Sequence, residues 1–340
     1  MIGVGVIGYG YWGPNLVRNF SEGAGARVAA VSDERQQRLD QMNLRYPHIK
    51  GTRDYREVLA DPAVDAIAIA TPVSTHFDLA MEGLCAGKHI FVEKPFTAGS
   101  EQGERLLEEA ERRKRIVMVD HTFVYTGAVR KIKELLEAGR LGQLYYYDSV
   151  RVNLGVFQND VSVLWDLAVH DLSIMEYILD DRPCAVSAVG MAHVAGQPKD
   201  VAYLNCFFDS HLIAHFHVNW LAPVKVRRTL IGGDRQMIVY DDLEPSEPVK
   251  VYDKGIRLDN GPEGRYQALV SYRTGDMWAP QLDRTEALLT AARHFIECIE
   301  HGKRPITDGR VGLRVVRILE AATLSLGQRG RPIELTWDRD

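Results

Sequence analysis

Short, wholly apolar runs recur through the first third of the chain, at Ile2–Ile7, Val28–Val31, Ala66–Ala70, His89–Val92 and Ile116–Val119. Runs of that length without polar interruption read as parallel strands buried on both faces. Between them Pro14–Phe20, Arg35–Arg45, His76–Ala86 and Gln102–Arg113 carry helical patterns. Strand–helix alternation of this kind predicts a parallel sheet covered by helices on both sides. After Asp120 the pattern changes. Gly127–Gly139 reads as a connecting helix, and strands then follow one another with few helices between: Gln143–Asn153, Ala185–His193, Val201–Phe208, Leu212–Trp220, Val226–Ile231, Gln236–Tyr240 and Val249–Tyr252. Asp209-Ser210 and Gly232-Gly233-Asp234 are short enough for hairpin turns, which predicts mostly antiparallel pairing. Glu286–Glu300 and Val311–Leu326 are two late helices, and 260–282 reads as a long loop near a site or an interface. The expectation is an α/β chain in two parts: residues 1–121 as a doubly wound parallel domain, and 122–340 as an α+β domain on an open sheet.

The first strand runs into Gly8-Tyr9-Gly10-Tyr11-Trp12-Gly13, and a helical pattern follows at once. G-x-G-x-x-G between a strand and a helix lets backbone amides at the helix N-terminus cradle a pyrophosphate. The same fingerprint expects an acid about twenty residues on, at the end of the second strand; Asp33 ends VAAVSD. Its carboxylate suits the adenosine ribose hydroxyls and repels a 2′-phosphate, which favours NAD over NADP. Arg35 and Arg38 follow closely and could accommodate that phosphate, or stand as solvated residues of the next helix.

Two further elements carry chemistry. Ser162–Leu179 (SVLWDLAVHDLSIMEYIL) is apolar nearly all round, as a buried helix is, and Asp166, His170, Ser173 and Tyr177 interrupt it on one face. A polar stripe there either satisfies itself internally or lines a cavity; beside a dinucleotide domain, an Asp–His acid/base unit is the sharper reading. Glu93-Lys94-Pro95 follows the strand HIFV, so Lys94 stands just past the carboxyl end of a sheet strand, where such sheets bind ligands. An ammonium at that place suits proton transfer to or from a carbinol. Thr71, Pro72 and His76 after AIAIA, and His121 after VMVD, are strand-end residues expected near the cofactor.

Composition narrows the class without changing this picture. The 340 residues are 46% hydrophobic and 26% charged, as in globular proteins, and the formal net charge of -5 argues against a nucleic-acid partner. Cys85, Cys184, Cys206 and Cys298 are scattered with no C-x-x-C, which predicts reduced thiols, a cytoplasmic location and no metal site. No apolar run is long enough to span a membrane, and the first residues lead into a strand rather than a signal peptide.

GYGYWG, ATPVSTH (Ala70–His76), VEKP (Val92–Pro95) and Asp166-x-x-x-His170 together resemble the glucose–fructose oxidoreductase/inositol dehydrogenase/rhizopine catabolism (Gfo/Idh/MocA) family, in the right order over nearly the whole chain. The resemblance implies an N-terminal Rossmann domain, a C-terminal open-sheet domain, and NAD(P)-dependent oxidation or reduction of a sugar or cyclitol hydroxyl. It implies Lys94, Asp166 and His170 as the catalytic set, and a dimer or tetramer formed through the open sheet face. HTFVY, VRKIKELLEAGRLG and LWDLAVHDLSI resemble the branch acting at C3 of nucleotide-linked or amino sugars, with free-sugar or inositol dehydrogenases, or a catalytically silent NAD-binding sugar sensor, as alternatives. Many relatives carry glycine between the Asp and the His, where this chain has none, so Trp165 and Val169 are expected to narrow the pocket. Glu93 and Trp165 join the expected cofactor contacts. For the substrate, Lys94, Tyr125, Asn153, Asp166 and His170 are expected to line the site, with Arg151 and Lys225 binding an anionic group, a diphosphate or a carboxylate.

Overall fold

The computed structural model describes residues 1–23, 25–155, 161–258 and 270–337. The chain divides into two compact units: Met1–Thr126 with Arg284–Arg317, and Gly127–Asp283 with Ile318–Asp340.

The first unit is built on a six-stranded parallel sheet: β1 (Gly3–Ile7), β2 (Arg27–Ser32), β3 (Lys50–Thr52), β4 (Ala66–Ile69), β5 (His89–Glu93) and β6 (Val117–Asp120), in the order β3-β2-β1-β4-β5-β6. The connecting helices are α1 (Gly13–Glu22), α2 (Gln36–Arg45), α3 (Tyr55–Ala60), α4 (His76–Cys85) and α5 (Ser100–Arg113). Five strands match the apolar runs to within a residue; β3 and α3 are additions. Order reverses between β1 and β4, and at that switch point the strand ends open a crevice for ligands. The sheet is sealed by aliphatic side chains of β1, β4 and β5 and by Phe20, Phe91 and Phe295, whose rings meet edge to face at centroid distances of 5.4–6.4 Å.

Phe295 shows that the expected domain boundary needs correction. It lies on α8 (Ala287–His301), far along the chain, yet Arg284–Arg317 belongs to the first unit. The apolar stripe of α8 packs on α1, and Arg18 holds Glu286 with two hydrogen bonds of 2.6 and 2.8 Å. Thr307 also ties this return segment to β6, donating to the Val119 carbonyl at 2.7 Å.

The second unit begins with α6 (Gly127–Glu137) and β7 (Leu144–Leu154). A wide π-helical turn, Leu164–Ala168, then leads into α7 (Val169–Ile178). The strands β8 (Ala185–Met191), β9 (Val201–Phe207), β10 (Ile213–Asn219), β11 (Leu221–Gly233), β12 (Met237–Asp241) and β13 (Val249–Tyr252) follow. A small hairpin, β14 (Gly255–Leu258) with β15 (Val270–Arg273), stands apart, and β16 (Met277–Trp278) pairs with β13. Part of the predicted 260–282 loop is therefore strand; residues 259–269 lie outside the described residues. The helix α9 (Gly309–Gly327) starts in the first unit and ends in the second, and β17 (Ile333–Glu334) closes a nine-stranded sheet of order β16-β13-β12-β11-β7-β10-β9-β8-β17. Pairing is antiparallel except between β7 and β10, which run parallel. One face of the sheet buries Ala188, Ala202, Leu204, Cys206, Ala214, Phe216 and Val218, while the other exposes Val189, Met191, Tyr203 and Ile213, as strict alternation requires. Among the described residues, no helix is long and apolar enough to cross a membrane.

Candidate functional site

The glycine loop is shaped by close approaches that only glycine permits. Gly8 has φ +95° and donates its N–H to the Ser32 carbonyl at 2.8 Å; a Cβ there would fall 2.5 Å from the Ala70 carbonyl oxygen. At Gly13 a Cβ would run into the Gly8 carbonyl, so the loop closes tightly on the start of α1. Gly10 differs: a Cβ would meet only Arg35 Nη2, at 3.5 Å, so the loop presents bare backbone to open space. That is the cradle a dinucleotide pyrophosphate needs, and the residues fit an NAD-type cofactor.

Asp33, at the end of β2, accepts the Tyr9 N–H at 2.8 Å and is gripped by Arg35 through its backbone N (3.0 Å), Nε (2.9 Å) and Nη2 (3.0 Å). Burial alone would raise the Asp33 carboxyl; the Arg35 guanidinium and the backbone donors bring it below its ordinary value, so it stays a carboxylate. Arg35 thus sits beside the Asp33 carboxylate and over the glycine loop, while Tyr11 stands 92% exposed and Tyr9 is buried.

Across the switch point, Thr71 and Thr75 share a hydroxyl hydrogen bond of 2.7 Å after β4. His76 is not open to a ligand, contrary to expectation. Its ring nitrogens lie 2.9 Å from the Pro95 and Thr71 carbonyl oxygens, so it ties the loop after β4 to the Lys94-Pro95 turn, and burial lowers its pKa so that it is neutral. Lys94 follows β5, and its positive charge acts on Glu93, Asp120, His121 and His76. His121 is buried, and burial first, then Lys94, pushes it down to about 3; among the described residues neither ring nitrogen has a hydrogen-bond partner. Tyr125 requires a correction. It is 1% exposed, and its hydroxyl meets Thr307 Oγ1 at 3.1 Å, so it is a core residue of this unit and not a substrate contact.

In the second unit the predicted continuous helix opens with a π turn, which carries Asp166. Such turns are costly, and they concentrate at functional sites. Asp166 Oδ2 accepts from Trp220 Nε1 at 3.1 Å, an anchor that sequence reasoning missed. His170 follows on the first turn of α7, its carbonyl capped by the Ser173 hydroxyl at 2.7 Å. Trp165 donates its indole N–H to Thr323 on α9 at 2.9 Å, so its ring edge is fixed within this unit.

Arg151 was expected to meet an anionic substrate, and here the structure overturns the reasoning. It is 3% exposed, on the inward face of β7, and binds Asp171 of α7 in a fork, Nε to Oδ2 at 2.7 Å and Nη2 to Oδ1 at 2.9 Å. Its charge is neutralised inside the unit. Asp171 is the partner that sequence reasoning passed over, although D-x-x-x-H-D places it next to His170. Arg227 and Arg228 pair with Asp242 and Asp241. Lys225 remains exposed, where the β7–β11 register breaks between Leu221 and Val226, and Asn153 is half-buried on β7. Among the described residues no group of three or more His, Cys, Asp or Glu side chains could hold a metal ion.

Comparison with known proteins matches residues 2–121 to the "Oxidoreductase family, NAD-binding Rossmann fold" model and residues 129–239 to the "GFO/IDH/MocA C-terminal domain" model. The scyllo-inositol 2-dehydrogenase (NAD(+)) of Bacillus subtilis is 27% identical over 98% of this chain and 95% of its own length. The UDP-N-acetylglucosamine 3-dehydrogenase of Acidithiobacillus ferrooxidans is 26% identical over 92% of this chain and 93% of its own. The solved structure of that enzyme superposes with a TM-score of 0.80, covering 96% of this chain and 99% of that one.

Proposed function

We propose, from the premise that this chain belongs to the Gfo/Idh/MocA oxidoreductase family, that it oxidises or reduces C3 of a nucleotide-linked sugar. The chain is an NAD-dependent oxidoreductase acting on a CH–OH group of a sugar or polyol. The observation that carries the chemistry is a dinucleotide cradle whose β5 runs into Glu93-Lys94-Pro95, in a chain that also presents Asp166 on a π turn and His170 on the helix that the turn opens. When bound, the nicotinamide accepts or gives the hydride. The chain itself must manage the hydroxyl proton: His170 exchanges it, Lys94 polarises the oxygen, and Asp166 orients His170 or a neighbouring hydroxyl, with the first two roles exchangeable.

Near-full-length likeness to the Acidithiobacillus enzyme supports the nucleotide-linked sugar. With Arg151 committed to Asp171, Lys225 is the residue left to meet a diphosphate. A second reading, a free cyclitol, is supported by the comparable likeness to the Bacillus scyllo-inositol enzyme. The exposed apolar side chains of Val189, Met191, Tyr203 and Ile213 support association of copies through the open sheet face. Following NADH formation over UDP-sugars, free sugars and inositols separates the readings. Lys94→Ala and His170→Ala should each lower turnover roughly 10²–10⁴-fold with NAD affinity retained. Near-normal turnover in both would refute the assignment, and turnover of inositol alone would replace the nucleotide sugar with the second reading.

A further inference from the structure

Trp220 stands between the end of β10 and the start of β11, 1% exposed, and its main chain is held on both sides. Its N–H donates to the Asp200 carbonyl at 2.9 Å, and its own carbonyl accepts the Gly155 N–H at 3.0 Å. Asp200 is buried in turn, its carboxyl oxygens 2.7 Å from both the backbone N and the ring Nδ1 of His193. Lys199, one residue earlier, accepts at 2.9 Å the N–H of Val163, the residue that leads into the π turn. The indole completes a circuit, because Trp220 Nε1 donates to Asp166 Oδ2 at 3.1 Å. Lys199–Asp200 thus holds both the start of the π turn and, through Trp220, the carboxyl that the turn carries. Every group in this circuit belongs to the second unit. A Cβ at Gly155 would fall 3.1 Å from Trp220 Cδ1, so glycine there leaves the ring its place.

We infer that Trp220 is a positioning residue for the reaction: its indole N–H fixes the direction of the Asp166 carboxyl and keeps the π turn from relaxing to α-helix. The turn is closed by the Val169 N–H reaching back five residues to the Leu164 carbonyl, a wider ring than an α-helix makes. That widening turns Asp166 about the helix axis relative to His170, away from the i, i+4 alignment that a continuous α-helix would give them. Two indoles brace the turn. Trp165 does so through Thr323 at 2.9 Å, and Trp220 through the carboxyl itself. A buried indole N–H needs an acceptor, and a backbone carbonyl would satisfy it equally well. Bonding to Asp166 instead fixes one carboxyl oxygen against a ring whose own main chain cannot move. The kinetic consequence rests on the function proposed above, since Trp220 acts on the reaction only through Asp166.

Trp220→Phe keeps a buried aromatic ring and removes the N–H. In the full chain its kcat should fall roughly 10–100-fold, as expected for a lost hydrogen bond to a carboxyl group, with NAD affinity unchanged. In an Asp166→Ala background the same substitution should cost nothing further, because the bond is already gone. An equal loss in both backgrounds overturns the inference, since Trp220 would then act by packing alone, and so does an unchanged kcat in Trp220→Phe. Wild-type turnover in Asp166→Ala overturns the part of Asp166 in the proposed reaction, and the positioning role with it. The bond itself is read without turnover, from the Trp220 indole N–H resonance in nitrogen-15 spectra. Asp166→Ala should move that resonance and speed its exchange with solvent by roughly tenfold or more. An unmoved resonance overturns the inference whatever the kinetics, and the measurement stands even if Trp220→Phe fails to fold.

Discussion

Truncating Asp171 to alanine leaves the Arg151 guanidinium buried with its forked acceptor gone. The side chains are only 4% and 5% exposed and the two bonds are 2.7 and 2.9 Å long, so little solvent can replace the carboxylate. With charge centres about 4 Å apart and an effective dielectric of about 20, the lost attraction is about 4 kcal/mol. Breaking a buried pair from one side typically costs about 3–5 kcal/mol, which agrees. Amide hydrogen exchange in β7 and α7 reads this directly, because the pair clamps those two elements. Exchange there should accelerate by roughly 10²–10⁴-fold, at about 1.4 kcal/mol per factor of ten. Replacing both partners with apolar residues, Arg151→Met with Asp171→Leu, should recover protection to within about 1 kcal/mol, since no charge is then stranded. The reasoning fails if Asp171→Ala accelerates exchange less than about fivefold. It also fails if Arg151→Ala raises KM for anionic sugars alone while protection stays intact, for Arg151 would then be a substrate group.

Asp33→Ala should weaken NAD by roughly 10–100-fold, the loss of a charged acceptor, and free Arg35 to favour a 2′-phosphate; titrating NAD and NADP against both proteins tests it, and a wild type preferring NADP would refute it. Gly13→Ala should disrupt the loop itself and lower thermal stability, whereas Gly10→Ala should fold normally and lose NAD affinity, because only the first meets backbone; equal melting temperatures for the two would count against the cradle. His121 is depressed to about 3 in the folded state against an ordinary value near 6.5, so the unfolded chain binds the extra proton between those values. Its neutral burial is fully tolerated above about pH 6.5, and stability falls as pH drops below that, by up to about 1.4 kcal/mol per pH unit. His121→Gln should flatten that slope in urea unfolding measured between pH 4 and 7, and an unchanged slope would exclude His121 as its source.

The sequence exposes those parts of the structure that local pattern determines. Buried parallel strands show as unbroken apolar runs, so β1, β2, β4, β5 and β6 are legible, while Lys50–Thr52 is a three-residue edge strand with no such run. The glycine loop and Asp33 are legible because their spacing is itself the geometry. Asp166 and His170 are visible as polar breaks in an apolar helix, but the π turn that carries Asp166 is not, since LWDLA suits an α-helix equally well. Arg151 shows the opposite limit. Alternation along β7 gives two faces without saying which one α7 covers, and an arginine reads as exposed until Asp171 is seen opposite it. Tyr125 and Asp120 likewise depend on contacts made far along the chain or across strands.

The division of the chain into Met1–Thr126 plus Arg284–Arg317 has a consequence for synthesis. A ribosome delivers β1 to β6 early, yet Phe295 and Thr307, which close over Phe91 and Val119, emerge only after most of the second unit. At about 5–20 residues per second, the nascent cofactor unit therefore waits roughly ten seconds or more with part of its apolar surface uncovered. Completion of the cofactor unit thus comes late in synthesis, and a message truncated anywhere before Arg284 yields neither half in finished form.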